Sequence, residues 1–416
     1  MRVEPAQMLT RVRNRRLTAA ALLLYAISQP ARAEEQPAAF DSRAAWTSFE
    51  QLVRQGYAYL ERPGIDGNAI LSTFAPRAKA ARTDAEFIDV LQLVAHNFAD
   101  PHFVVGPLDA SDWAVIPTSS DIFAHYDGTD FRVEEVRAGS DASNQGIRPG
   151  MTIATIAGRP LRASIDEITG RPFAQLTPPQ VDFALNTALA GHRGQPRSME
   201  LIAGQKRKGF TLAATAEQAK RVSSGPMLET ERRGDLGIIR INNSLGNNGL
   251  IAEFGNALHS LADTRVLLID LRNTPSGGNT SVARGIMGHF VTRDMPYQMH
   301  VIPYESRVYG PIRKFVEYVA PFGEHYSGKI YVAGGHWTGS MGEGLMIGFD
   351  AIGTTTVGSE LAHLLGALSN ETIAGSKAKV DLGTEELFTV SGGLAPISAH
   401  ASTLSRPNAI NRPIQC

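Results

Sequence analysis

Ser340 lies in the segment Lys329-Ile-Tyr-Val-Ala-Gly-Gly-His-Trp-Thr-Gly-Ser-Met-Gly-Glu343. The apolar run reads as a strand ending at Ala333, followed by a turn and a helix opening near Gly339. That order puts the Ser340 hydroxyl at a helix N-terminus. Free N–H groups and the helix dipole there favour a developing oxyanion. The same position suits a plain N-cap serine. Gly339 and Gly342 would let a substrate come close to the backbone.

A second block reads Leu267-Leu-Ile-Asp-Leu-Arg-Asn-Thr-Pro-Ser-Gly-Gly-Asn279. A buried strand runs into the Gly277-Gly278 turn and then a helix. Such a turn can cradle an anion with its N–H groups, or simply reverse the chain. Arg272 reads as a structural partner for a carboxylate or carbonyl. A third block, Asp100-Pro101-His102, precedes the strand-like Phe103-Val-Val105 and can present an imidazole rigidly. His336 and His363 are nearer to Ser340 along the chain, but sequence distance does not decide catalytic geometry.

These blocks need elements to position them. Ala44 to Leu60 and Ala85 to Phe98 carry apolar residues at helical spacing, with Thr83 or Asp84 as a cap for the second. From Asp127 the pattern becomes short and alternating. Strands are expected at Phe131–Val136, Met151–Ile156, Ser198–Ile202 and Lys208–Ala213, with a helix over Pro178–Ala190. Beyond residue 225, strands and helices alternate. Strands are expected at Leu236–Ile241, Val266–Asp270, Ile330–Ala333 and Thr354–Val357. Helices are expected at Gly249–Ala262, Val282–Val291 and Gly339–Phe349. That alternation predicts an α/β layer with parallel strand pairs.

A chain of 416 residues calls for two or three domains. Its net charge of −1 offers no basic face for nucleic acid. The single cysteine, Cys416, excludes an intrachain disulfide and a multi-cysteine zinc site. The histidines are not clustered as zinc ligands, and the Gly-Gly turn lacks a nucleotide fingerprint, so neither a metal nor an organic cofactor is expected. Arg11, Arg13, Arg15 and Arg16, the apolar Leu17–Ile27 stretch and Ala31-Arg32-Ala33 read as an export signal cleaved before Glu34. A periplasmic or secreted protein follows, with no membrane-spanning segment after signal removal.

Taken together and in this order, the three blocks resemble the C-terminal processing and tricorn-type serine peptidases, over roughly Phe98 to Pro396. Asp270-Leu-Arg with Gly277-Gly278 is similar to one family block. Trp337-Thr-Gly-Ser-Met-Gly-Glu343 is similar to the nucleophile block, with its serine three residues before a glutamate. Phe131 to Pro160, including Gly146-Ile-Arg-Pro-Gly150, resembles the inserted PDZ module, although Met151 stands where an aspartate is usual. The resemblance implies an α/β fold: a ClpP/crotonase-like catalytic core, an inserted PDZ-like β-rich domain and an N-terminal helical segment. The expected divisions are 1–33 for the signal, 34–105 for the helical segment ending in the candidate base, 127–215 for the PDZ-like domain and 225–416 for the core.

The resemblance also implies roles. One branch of the family pairs its serine with a lysine about two dozen residues later; here Leu364 falls near that position. The other branch takes a histidine from an earlier turn, which His102 matches. Ser340 is then the nucleophile and His102 the general base. Met341 N–H with Gly277 or Gly278 N–H makes the oxyanion hole. Pro101 stands where tricorn-type enzymes carry a serine, and Ser391-Gly-Gly-Leu-Ala-Pro396 lacks a glutamate at the family's offset. Glu385, Glu386 and Ser391 are the nearby candidates for a third member, and His363 is an alternative base. The implied function is an exported endopeptidase working on polypeptides through an acyl-enzyme. Gly128, Thr129, Asp130 and Phe131 would lie beside a groove that captures substrate C-termini. A non-catalytic peptide- or ligand-binding protein and a small ester or amide hydrolase are the alternatives on the same fold.

Overall fold

Three helices open the described chain, Ser42–Gly56, Gly67–Lys79 and Asp84–Phe98. The computed structural model describes residues 40–364 and 366–393, so the export signal, Cys416 and the end of the late block lie outside the described residues. Each helix begins at an oxygen-bearing cap. Asp41 accepts from Arg43 and Ala44 N–H, Asp66 from Ala69 N–H and Thr83 from Glu86 N–H. Caps of this kind contribute about 1 kcal/mol each. The middle helix lies inside the expected helical segment but was not singled out. Trp46, Phe49, Tyr57, Phe87, Leu91 and Phe98 are fully buried in one cluster. Val380 and Leu382, from the far end of the chain, complete it.

The second layer is a six-stranded sheet. Its main path runs Ile122–Tyr126, Phe131–Val136, Thr152–Ile156, Arg197–Ala203 and Lys206–Leu212, with Arg159–Pro160 paired beside Thr152–Ile156. Helices Leu161–Thr169 and Pro178–Ala190 share its core. The sheet begins five residues before the expected boundary at 127, because Ile122–Tyr126 forms a hairpin with Phe131–Val136. The buried Arg197 guanidinium clamps Asp121 through contacts of 2.7 and 3.0 Å, fixing the sheet's entry.

The third layer is a five-stranded sheet ordered Leu228–Arg233, Leu236–Ile241, Val266–Asp270, Lys329–Gly334 and Thr355–Gly358. Apart from the first hairpin, its neighbours are parallel. Val266–Asp270 is buried or half-buried throughout, as a near-continuous apolar run in a parallel sheet should be. Helices Gly249–Ser260, Thr280–Met287 and Met341–Ala351 pack into one core with it. A third sheet, ordered Arg313–Val319, Met295–Ile302, Lys379–Phe388 and Ala367–Thr372, carries Val104–Gly106 on Lys379–Phe388. Of its strands, Val104–Gly106 falls at the strand-like Phe103-Val-Val105, and the other four were not expected. No helix among the described residues is long and apolar enough to cross a membrane.

Candidate active site

Parallel sheets present functional loops at the carboxyl ends of their strands. Val266–Asp270 and Lys329–Gly334 are central neighbours, and both turns of interest leave from those ends. Two buried threonines lace the turns together. Thr274 Oγ1 donates to Ile241 O at 2.7 Å, and Thr338 Oγ1 donates to Leu271 O at 2.9 Å while accepting from Gly335 N–H. Gly339 N–H donates to Thr274 O at 2.9 Å. Asp270 holds Arg272 with contacts of 2.9 and 2.8 Å, the structural role expected of that arginine. Burial pushes the Asp270 carboxyl up, but Arg272 outweighs it and the net shift is downward.

Ser340 sits at the start of Met341–Ala351 with φ 53° and ψ −116°. A non-glycine residue holds positive φ only when its surroundings over-determine it. Strand, sharp strained turn and helix together expose a hydroxyl at the top of a sheet. The turn presses Ser340 onto the other loop: a Cβ on Gly277 would lie 2.6 Å from Ser340 Oγ. Gly278 packs as closely on Leu245, where a Cβ would lie 2.3 Å from backbone atoms. Of the two glycines named for the oxyanion hole, Gly277 is thus the one set against the hydroxyl.

Glu343 anchors the turn. Its carboxylate accepts from Ser340 N–H at 2.9 Å, His363 N–H at 2.9 Å and Leu364 N–H at 3.0 Å. Burial pushes its pKa up to about 8, against the pull of these three N–H groups and with a further push from Asp100. Leu364 packs its Cδ1 beside Gly339, 3.0 Å from where a Cβ would stand. The position near that of the family's lysine therefore supplies an apolar brace and an N–H.

His102 occupies the turn after Ala99, whose left-handed φ of 49° ends the third helix. Its N–H donates to Asp100 Oδ1 at 2.9 Å, and Asp100 Oδ2 accepts from Tyr57 O–H at 2.8 Å. Burial, then Asp100, raises the Tyr57 pKa well above its usual value, keeping the phenol a donor. His102 is 7% exposed. The Asp100 charge reaches Glu343, and Tyr59 feels Asp100, Glu386 and Glu343. The histidine turn and the nucleophile turn thus share one electrostatic neighbourhood around Tyr59.

Glu385 Oε2 lies 2.7 Å from His300 Nδ1. Glu386 is raised by burial, with Arg307 pulling the other way, and acts on Tyr59. Ser391 Oγ bonds Thr389 Oγ1 at 2.9 Å. His363 directs Nε2 to Glu360 Oε1 at 2.7 Å, and that bond, ahead of burial, holds Glu360 below its usual range. His336 stacks on Phe123 with ring centres 3.6 Å apart and has Glu134 3.5 Å away. Gly128, Thr129 and Asp130 form a hairpin tip before Phe131, with Thr129 and Asp130 N–H donating to Asp127 Oδ1. No group of three or more potential metal ligands occurs among the described residues. The sequence reading gave no role to Asp100, Tyr57, Thr274 or Thr338. The Ser340-x-x-Glu343 spacing was its one signal for Glu343.

No protein-family model matches the chain. No curated protein matches it by sequence. Solved structures do. The photosystem II D1 C-terminal processing protease superimposes with a TM-score of 0.54 at 15% identity, covering 86% of this chain and 91% of that one. Mature CPAF complexed with lactacystin superimposes with a TM-score of 0.58 at 13% identity, covering 86% and 93%. Over almost its whole described length, this chain has the fold of the C-terminal processing, or tail-specific, peptidases.

Proposed function

We propose that the protein is a serine peptidase of the Ser-His type, with Ser340 as nucleophile and His102 as general base. The observation that carries this reading is Ser340 itself: a strained serine opening a helix at the carboxyl end of a central parallel strand, pressed against the Gly277 turn. In the reaction, His102 takes the Ser340 proton as Oγ attacks the scissile carbonyl, then returns it to the leaving amine. Met341 and Gly277 N–H groups stabilise the oxyanion. Asp100, held by Tyr57, fixes the backbone of the base turn. Leu364 cannot accept a proton, which supports histidine over lysine as the base. Export to the periplasm or beyond, and capture of substrate C-termini by the PDZ-like sheet near Gly128–Phe131, belong to the same proposal.

The test is covalent labelling of the mature chain with a fluorophosphonate, followed by peptide mapping. The reagent is expected on Ser340 and absent from Ser340→Ala. His102→Ala should slow peptide cleavage by about 10²- to 10⁴-fold, the usual contribution of a positioned base. Labelling of Ser340→Ala at the wild-type rate would overturn the nucleophile. Unchanged cleavage by His102→Ala would overturn the base.

A further inference from the structure

Gln298 is wholly buried, and neither its Oε1 nor its Nε2 has a hydrogen-bond partner. An amide desolvated without compensation is retained against a real penalty. Its position comes from a β-bulge. Pro296 pairs with Tyr318 and Gln298 with Glu317, so Tyr297 has no opposite number. Bulges re-aim side chains and are over-represented next to active sites. Here both Tyr297 and Gln298 turn toward the nucleophile helix. The Tyr297 ring lies 3.2 Å from where Gly348 would carry a Cβ, and Gln298 Oε1 lies 3.7 Å from that place on Gly344. Gly344 is one helical turn from Ser340, its N–H bonded to Ser340 O at 3.0 Å. Along the strand, these contacts climb toward the Ser340 end.

His300 comes two residues later, on the same face of the strand as Gln298. It too is buried, and its Nε2 has no partner. Nδ1 is fixed on Glu385, and the ring stacks on Phe315 with centres 4.5 Å apart. With Nδ1 placed as the donor to Glu385, Nε2 is the ring nitrogen left to meet a ligand, as an acceptor in the imidazole form. Met341, the residue after the nucleophile, lays its Cε 2.6 Å from the Gly344 Cβ position, where Gln298 also reaches. Methionine is unbranched and moves readily.

We propose that Gln298 and His300, with Glu385 orienting the imidazole, line the specificity pocket for the substrate residue that acylates Ser340. Met341 is its movable cover, and the pocket takes a side-chain carboxamide. This rests on the serine-peptidase reading. A carboxamide NH₂ supplies donors for His300 Nε2 and Gln298 Oε1, and its oxygen accepts from Gln298 Nε2. An aliphatic side chain would leave all three unpaired, the situation in which polar sites discriminate most strongly.

The test uses the mature chain and peptides that differ only at the acylating residue: Gln, Asn, Leu, Ala and Lys. Wild type should show kcat/KM about 10²-fold higher for Gln than for Leu. Gln298→Leu should reverse that order while Ser340 still takes the small fluorophosphonate. Gln298→Glu, of the same size, should move the preference toward Lys and guards against loss of fold in the leucine variant. Equal cleavage of Gln and Leu peptides by a wild type that labels at Ser340 would overturn the pocket alone. So would an unaltered preference in both variants. A wild type that neither labels nor cleaves would overturn the peptidase reading, and the pocket with it.

Discussion

Glu343 shows how one side chain ties local structure to the site. Its carboxylate collects three N–H groups that hold the strained serine and the neighbouring His363–Leu364 backbone. With a pKa near 8 it keeps a proton in the folded state across a range where the unfolded chain has lost it. The folded protein then binds more protons, so stability falls as pH rises from the ordinary carboxylate range through about 8. Glu343→Gln should flatten that slope in urea melts taken from pH 5 to 9. The same variant should lower activity above about pH 8, where Glu343 is a carboxylate whose two oxygens serve N–H groups that one amide oxygen cannot. The spacing of Ser340 and Glu343 was legible in the sequence. The charge state of Glu343 was not, since burial and the Asp100 field arise only when distant segments meet.

Elements carry the next level of control. The glycine turn and the nucleophile turn are fitted so closely that a methyl group separates two kinds of failure. Gly277→Ala puts its Cβ against Ser340 Oγ. It should reduce kcat by about 10²-fold or more, as small misplacements at reacting groups do, with little change in melting temperature. Gly278→Ala strikes the Leu245 backbone instead. It should destabilise the fold by about 1–3 kcal/mol, read from denaturant midpoints. Elements with clean periodicity were legible. The Val266–Asp270 and Leu236–Ile241 strands and the Pro178–Ala190 helix fall where the sequence put them. The Gly67–Lys79 helix was hidden by Pro76 in its interior, which reads as a breaker. The Met295–Ile302 strand was hidden by its bulge, which interrupts the alternation that marks a strand. The blocks around Ser340, Gly277 and His102 were legible as local motifs, and the family resemblance supplied their implied roles. Gln298 and His300 could not, because their place depends on that bulge.

Across the whole molecule, the candidate base depends on the far end of the chain. Among the described residues, Val104–Gly106 pairs with Lys379–Phe388 alone, and Val380 and Leu382 share one core cluster with Phe98 and Phe103. Leu382→Ala should destabilise the protein by about 2–5 kcal/mol, as buried leucine truncations do. It should also expose the Asp84–Phe98 helix to proteolysis before the Val266–Asp270 sheet. Simultaneous loss of protection in both regions would contradict this dependence. Pairings of such long sequence separation are made late, because loop closure precedes any reward from contact. A nascent chain leaves the ribosome N-terminus first and so displays the His102 turn nearly three hundred residues before the strand that secures it. On the proposed mechanism, the order of synthesis is itself a timer: the catalytic pair cannot be assembled until almost all of the polypeptide has been delivered.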